Sequence, residues 1–230
     1  MRVRIPPAPA KIIWKMLKGI YLKKKIICKT GHILPDNIKD IIVRKYGNVK
    51  IYPIGRSAYA FFTKAGIYKV RCCINGEKES AFIQGIEIHK KVCEIDNTFP
   101  KVVDVFDEAN IRFKVSEWMV GILVRDIQSK RKPILPKYFY DFGLWLSKLR
   151  DLCGIFLLDV NALNILFRYG FNDIRVCDMG GTFIYKKQYQ PYIDEYNATS
   201  IFLYALGATK KQEEEFYYGY TGIRKENIRI

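Results

Sequence analysis

The spacing of apolar residues changes from a helical to a strand period near residue 48. Residues 36–46 carry isoleucines at helical spacing and are followed by Gly47, so they predict a helix. Three short apolar runs then follow at 49–54, 59–63 and 67–73, separated by turn residues. This order predicts a meander of three antiparallel strands.

The next stretch returns to a helical period and then to strands. The pattern predicts, in order, a helix over 78–94, strands over 99–106 and 111–118, a basic polar loop over 125–136 and a long helix over 138–152. The two strands would complete a five-stranded antiparallel sheet. Gly154 is placed to end the long helix. Two further helices are predicted over 191–206 and 210–220.

Between these helices lies the most informative stretch. Ile165–Phe167 and Ile174–Cys177 predict two strands, and the turn between them contains Gly170 and Asn172. The loop before this hairpin, residues 154–164, ends at Asn164, and the loop after it begins at Asp178. A hairpin brings its outer ends together.

The earlier part of the first loop also contains a carboxylate, Asp159. We therefore expect Asp159, Asn164 and Asp178 to converge at one place. Phosphoryl transfer uses such a set: one carboxylate orients the attacking hydroxyl, while an amide oxygen and a second carboxylate bind magnesium.

The pattern Asp-x4-Asn, hairpin, Asp-x-Gly resembles the catalytic and metal-binding loops of the protein-kinase-like fold. The sequence Asp-Val-Asn-Ala-Leu-Asn-Ile-Leu at 159–166 most resembles the corresponding segment of the small bacterial lipopolysaccharide core kinases, the Kdo and heptose kinase group. Those read Asp-Leu-Asn-x-x-Asn-Ile-Leu at this place. The resemblance extends over residues 47–206. It departs at Leu157 and Leu158, where the family usually has a histidine two residues before the aspartate.

What the resemblance implies is a two-lobed α+β fold with a five-stranded antiparallel N-lobe sheet and a reduced, mainly helical C-lobe. It divides the chain into a basic extension over 1–46, with no packed structure expected for 1–10, an N-lobe over 47–120 and a C-lobe over 121–230. No Ala-Pro-Glu segment or long activation loop follows Asp178. This favours a small or lipid-linked substrate over a protein substrate.

The family's roles map onto individual residues of this chain. Asp159 would be catalytic, and Asn164 and Asp178 would hold Mg²⁺. Lys69, with Arg71 as second choice, would hold the phosphates of ATP, because a lysine that points inward from a strand requires an anion. The remaining cofactor-binding residues are the loop residues Gly55, Ser57 and Ala58, the helix glutamate Glu87 with Glu79 as its alternative, and the adenine-contacting Glu117 and Met119.

Composition narrows the function classes. The chain is 49% hydrophobic and 14% aromatic, with no apolar run long enough to span a bilayer, so we expect a cytoplasmic globular protein. Six cysteines without a Cys-x-x-Cys pair indicate reduced thiols rather than zinc. Residues 1–50 contain 13 Lys or Arg and 2 Asp or Glu, so they hold +11 of the net charge of +16.

This basic segment leaves two interpretations open. Lys11–Ile27 would be either a basic amphipathic helix on an anionic membrane surface or an ordinary element with solvated lysines. Nothing in it is typical of a nucleic-acid-binding module, so charge alone does not favour nucleic acid. Met16 is an alternative start to Met1.

Two functions from different classes remain. The first is an ATP- and Mg²⁺-dependent phosphotransferase acting on a hydroxyl, with a glycolipid sugar favoured and a protein Ser/Thr acceptor as another option. The second is a pseudokinase, a kinase-like binding protein without catalysis. The glycine-poor loop, the missing histidine and the ambiguous helix glutamate favour the second.

Overall fold

The structure is a computed structural model. It describes residues 36–53, 58–63, 66–73, 79–129, 134–158, 162–179, 182–184 and 191–223. The predicted extension over 1–10, the basic segment Lys11–Ile27 and both candidate start residues lie outside this part of the chain.

The described part of the chain contains both strands and helices. In chain order they are α1 (Asp36–Tyr46), β1 (Lys50–Pro53), β2 (Ala58–Phe62), β3 (Ile67–Cys72), α2 (Glu79–Ile95), β4 (Val102–Glu108), β5 (Ile111–Glu117), β6 (Ile122–Leu123), α3 (Val124–Gln128), α4 (Pro136–Cys153), β7 (Ile155–Leu157), β8 (Ile165–Arg168), β9 (Asp173–Val176), β10 (Thr182–Ile184), α5 (Pro191–Ala205) and α6 (Lys210–Thr221).

Five of these strands form one antiparallel sheet in the order β1-β2-β3-β5-β4. The tight turn between β4 and β5 is possible because Ala109 and Asn110 adopt φ of 52° and 60°, the left-handed conformation that a two-residue hairpin turn requires. The prediction of an α+β fold with a five-stranded antiparallel sheet is confirmed.

Helix α1 packs on one face of this sheet. Its isoleucines Ile38, Ile41 and Ile42 are buried in the same hydrophobic cluster as Val70 of β3 and Phe113 of β5. At its C-terminal end α1 also contacts the edge strand β4 through ion pairs of Arg44 with Glu108 and Lys45 with Asp104. The predicted helix over 36–46 is confirmed, and its apolar face covers the sheet.

The C-terminal part of the chain is built around α4. Its first residue is Pro136, and it ends at Gly154 with φ 60°, as predicted for a helix-ending glycine. Helix α6 crosses it at glycines. A Cβ atom on Gly143 would lie 2.1 Å from the carbonyl oxygen of Phe216, and one on Gly219 would lie 2.1 Å from that of Tyr140. The two backbones therefore approach closely.

Four short elements were not predicted. Residues 125–136 were expected to be a loop, but α3 occupies 124–128. Residues 155–157, also expected in a loop, form β7, which pairs with β10, and β6 pairs with β8. These strands have two or three residues each, so their sequences are too short to show a period, and pairing partners far along the chain define them.

No helix within the described part of the chain combines the length and hydrophobicity needed to cross a bilayer.

Candidate active site

Strands β3 and β5 place four polar side chains on the sheet face opposite α1. In their antiparallel register Lys69 lies beside Ser116, and Arg71 lies beside Lys114. Alternate residues of a strand point to opposite faces, so all four share one face while Val70 and Val115 enter the cluster under α1. The alternation of polar and apolar residues along β3 and β5 therefore makes this face of the sheet polar.

Helix α2 covers this polar face. Phe82 and Ile86 of α2 are buried, and the Arg71 guanidinium lies 5.3 Å from the centre of the Phe82 ring. His89, one turn further along, is also buried, and its Nε2 lies 2.6 Å from the carbonyl oxygen of Pro100. A carbonyl only accepts hydrogen bonds, so Nε2 carries the proton.

The β8–β9 hairpin approaches the same face from the C-terminal part. The backbone N–H of Cys177 donates to the carbonyl oxygen of Asn164 at 2.7 Å, so Asn164 lies directly across from the residue before Asp178. The Asp178 Oδ2 lies 3.5 Å from the Lys69 Nζ. The structure thus brings together three of the predicted residues: Lys69, Asn164 and Asp178.

Neither candidate glutamate of α2 reaches Lys69. Glu87 is exposed and pairs with Lys90 at 3.0 Å, and Glu79 pairs with Arg112 at 2.9 Å. The burial of Ile86 and His89 toward the sheet turns Glu87 to the outer side of the helix. Among described residues, the ion-pair partner of Lys69 is therefore Asp178 rather than a helix glutamate.

The other predicted residues have separate locations. Ala58 is buried in β2, beside Arg71 of β3. Glu117 and Met119 line a cavity of about 370 Å³ together with Ile67 and Trp118. The carboxylate of Glu117 accepts a hydrogen bond from the Lys101 N–H at 3.0 Å. Gly55, Ser57 and Asp159 lie outside the described residues, so their predicted roles remain predictions.

The charges around His89 show the electrostatic character of the site. Burial, followed by the proximity of Lys114, lowers the pKa of His89 to about 4, and Lys69 acts in the same direction. The imidazole is thus neutral at pH 7. Because Lys114 and Lys69 both lower the pKa of His89, they create a positive potential in the space that these residues share with Asp178.

Comparisons with known proteins identify no family for the chain. No family model matches the sequence, and the search of curated proteins finds no match. Among solved structures, the chain is similar to monomeric WbdD with a TM-score of 0.48 and 17% identity, over 67% of this chain. It spans 38% of the WbdD chain. The function is therefore inferred from the residues of the site itself.

A buried ion-pair cluster holds the hairpin against the loop after α2. Arg168 of β8 donates to both carboxylate oxygens of Asp173 at 2.7 and 2.5 Å, and to the carbonyl and hydroxyl of Thr98 at 2.8 and 3.0 Å. Arg175 of β9 donates to Asp96 at 2.7 Å. This cluster fixes the turn end of the hairpin, whose open end carries Asn164 and Asp178.

These residues fit the binding of a phosphorylated ligand with a divalent cation. Carboxylate and amide oxygens, as at Asp178 and Asn164, suit Mg²⁺, which keeps several waters and needs few protein ligands. The described residues contain no cluster of three or more acidic, histidine or cysteine ligands.

One functional candidate was missed from the sequence. Lys114 faces the site and is only 7% exposed. The signal was present, because Arg112, Lys114 and Ser116 alternate with Phe113 and Val115. That period of two places polar residues on one face of a strand.

Proposed function

We propose that this protein is an ATP- and Mg²⁺-dependent phosphotransferase that acts on a hydroxyl group. The observation that supports it is the contact between Lys69 of the sheet and Asp178 after the hairpin, with Asn164 beside the same strand end. A phosphate-binding lysine opposite a metal-binding carboxylate is the arrangement that phosphoryl transfer in kinases requires.

Each residue then has a chemical role. The Lys69 ammonium binds phosphate oxygens and stabilises the charge that develops on them. Asp178 and the Asn164 side chain provide oxygen ligands for Mg²⁺, which when bound would neutralise phosphate charge. Asp159, in the loop before the hairpin, orients the acceptor hydroxyl and receives its proton.

The Lys69–Asp178 contact has to open for this chemistry. The space among the side chains around it is small, about 10 Å³, which is room for one water molecule. Phosphate oxygens replace Asp178 as the partner of Lys69, and the freed Asp178 carboxylate becomes available to the metal. The ligand-free contact thus keeps Lys69 and Asp178 side by side until ATP binds.

We favour a sugar hydroxyl of a membrane glycolipid as the acceptor. This choice rests on the Asp-Val-Asn-Ala-Leu-Asn-Ile-Leu wording at 159–166 and on the basic character of residues 1–50. Lysines near an anionic membrane each contribute about 1 kcal/mol to binding, which would bring the site close to a lipid-linked substrate. A protein Ser/Thr residue is the alternative acceptor.

A kinase-like binding protein without catalysis is the second candidate function. The placement of Glu87 favours this alternative, because the lysine of a kinase is normally oriented by a helix glutamate. Here α2 instead places His89 beside Lys69 and Asp178. This alternative predicts ATP binding without phosphate transfer.

Thermal unfolding with ATP, with and without Mg²⁺, tests the proposal. We expect ATP with Mg²⁺ to raise Tm in the wild type and to lose most of this effect in Asp178→Asn, which removes the metal-binding charge but keeps the size. Asp141→Asn is the matched control, because Asp141 is an exposed residue on α4. Its response should equal that of the wild type.

Phosphate transfer separates the two candidate functions. The same variants are incubated with γ-labelled ATP and lipopolysaccharide core acceptors, and Asp159→Asn is added. Transfer in the wild type that is lost in Asp159→Asn supports an enzyme. Mg²⁺-dependent binding without transfer to any acceptor or to water favours the binding protein. No Tm change at millimolar ATP contradicts both.

A further inference from the structure

The proposed phosphate site carries more positive charge than one lysine provides. Among the described residues that line the space at Asp178 are three basic side chains, Lys69, Arg71 and Lys114, and a single carboxylate. Basic side chains thus outnumber acidic ones three to one among these described residues.

Strand register concentrates these cations. Arg71 and Lys114 are direct neighbours across β3 and β5, and Lys69 lies two residues from Arg71 on the same face. Lys114 is only 7% exposed and Arg71 is half-buried, and both line the same space as Asp178. Three basic side chains that line one space fit the binding of an anion with several charges.

We propose that Arg71 and Lys114, with Lys69, form an oligophosphate-binding site that retains affinity for the phosphate chain of a nucleotide in the absence of a divalent metal. This deepens the proposed function, on which it rests, by adding two binding residues to that site. Three protein cations neutralise most of the charge of a triphosphate, a task that metal ions share in kinase-type sites.

Asp178 has opposite effects in the two situations. With Mg²⁺ it is a ligand, so its neutralisation weakens binding. Without metal it repels phosphate and competes for Lys69 at 3.5 Å. We therefore expect Asp178→Asn to bind metal-free oligophosphate more tightly than the wild type. This reversal of sign distinguishes the inference from the proposed function.

Calorimetric titration of the full chain with tripolyphosphate and with ATP, in EDTA and then in Mg²⁺, measures these effects. We expect the wild type to bind both in EDTA. Lys114→Met, which keeps length but removes charge, should weaken binding by about tenfold or more, as for the loss of a charged hydrogen-bonding partner. Arg71→Met should act in the same direction. Since Arg71 is the less buried of the two, it provides a second variant if Lys114→Met does not fold.

Lys101→Met is the matched control, because Lys101 is exposed just before β4 and is not among the residues that line the site. It should change the dissociation constant less than twofold. Wild-type binding only in Mg²⁺ would overturn the inference while leaving the proposed function intact. Equal weakening by Lys101→Met would also overturn the inference, since affinity would then follow overall charge. Unchanged binding in both Lys114→Met and Arg71→Met would overturn it as well, since other residues would then bind the phosphates.

Discussion

Replacement of Arg168 tests whether the buried ion-pair cluster holds the hairpin in place. The Arg168 side chain is 2% exposed and makes four hydrogen bonds, two to Asp173 and two to Thr98. Arg168→Met keeps a long side chain of similar shape but removes every donor. The Asp173 carboxylate then keeps one cationic neighbour, Arg175, at 3.3 Å.

The expected loss follows from burial. Removing one partner of a buried, hydrogen-bonded ion pair typically costs about 3–5 kcal/mol, because the remaining charge is left without full compensation. The remaining Arg175 contact places the expectation near 3 kcal/mol. That is a large share of the 5–15 kcal/mol that stabilises a typical domain.

Urea unfolding followed by tryptophan fluorescence measures this loss. Lys90→Met is the matched control, since Lys90 pairs with Glu87 at an exposed position, where such a pair contributes about 1 kcal/mol or less. In the double variant Arg168→Met/Asp173→Asn the carboxylate charge is also removed, so part of the loss should be recovered. An Arg168→Met loss equal to that of the control would refute the reasoning.

Three further predictions concern packing and pH. Gly219→Ala should lower the free energy of unfolding by about 1–3 kcal/mol, because its Cβ would clash with the α4 backbone. Gly85→Ala, with open space around it, should instead raise the free energy of unfolding by up to about 1 kcal/mol, and thermal unfolding compares the two variants. The pKa of His89 is about 4, below its usual 6.5, so the unfolded state binds the proton more readily than the folded state. Wild-type stability should therefore fall by about 3 kcal/mol as pH decreases from 7 to 4. His89→Gln should show a flatter stability profile in that range, and a profile identical to that of the wild type would contradict the assignment. Burial acts to raise the pKa of Asp96, but hydrogen bonds from Thr98 and Arg175 hold that pKa below its usual value. The contribution of Asp96 to folding stability is therefore present above about pH 4 and is lost as pH falls further. Asp96→Asn should make the urea midpoint less sensitive to acid below pH 4.

The order of the main elements could be read from the sequence because their periods are local properties. Five strands of the sheet alternate or run apolar over four or more residues, and glycine or asparagine marks their turns. The hairpin predicted from Gly170 and Asn172 is present, and Asn172 has φ 54°. Its register alone places Asn164 across from Cys177, so the approach of Asn164 to Asp178 followed from the chain's local pattern.

The partners of the charged residues were decided by tertiary structure. The contact between Lys69 and Asp178 joins segments 109 positions apart, and the bonds of Arg168 to Thr98 join residues 70 positions apart. The rotation of α2 about its axis determines whether a glutamate or His89 faces the sheet. That rotation is set by the burial of the apolar residues of α2 against the rest of the molecule, since the free energy of apolar burial outweighs that of one exposed ion pair. The sequence by itself therefore determined the longer elements and the polar face of each strand in the sheet, whereas packing determined the shortest strands, the rotation of α2 and which charges meet.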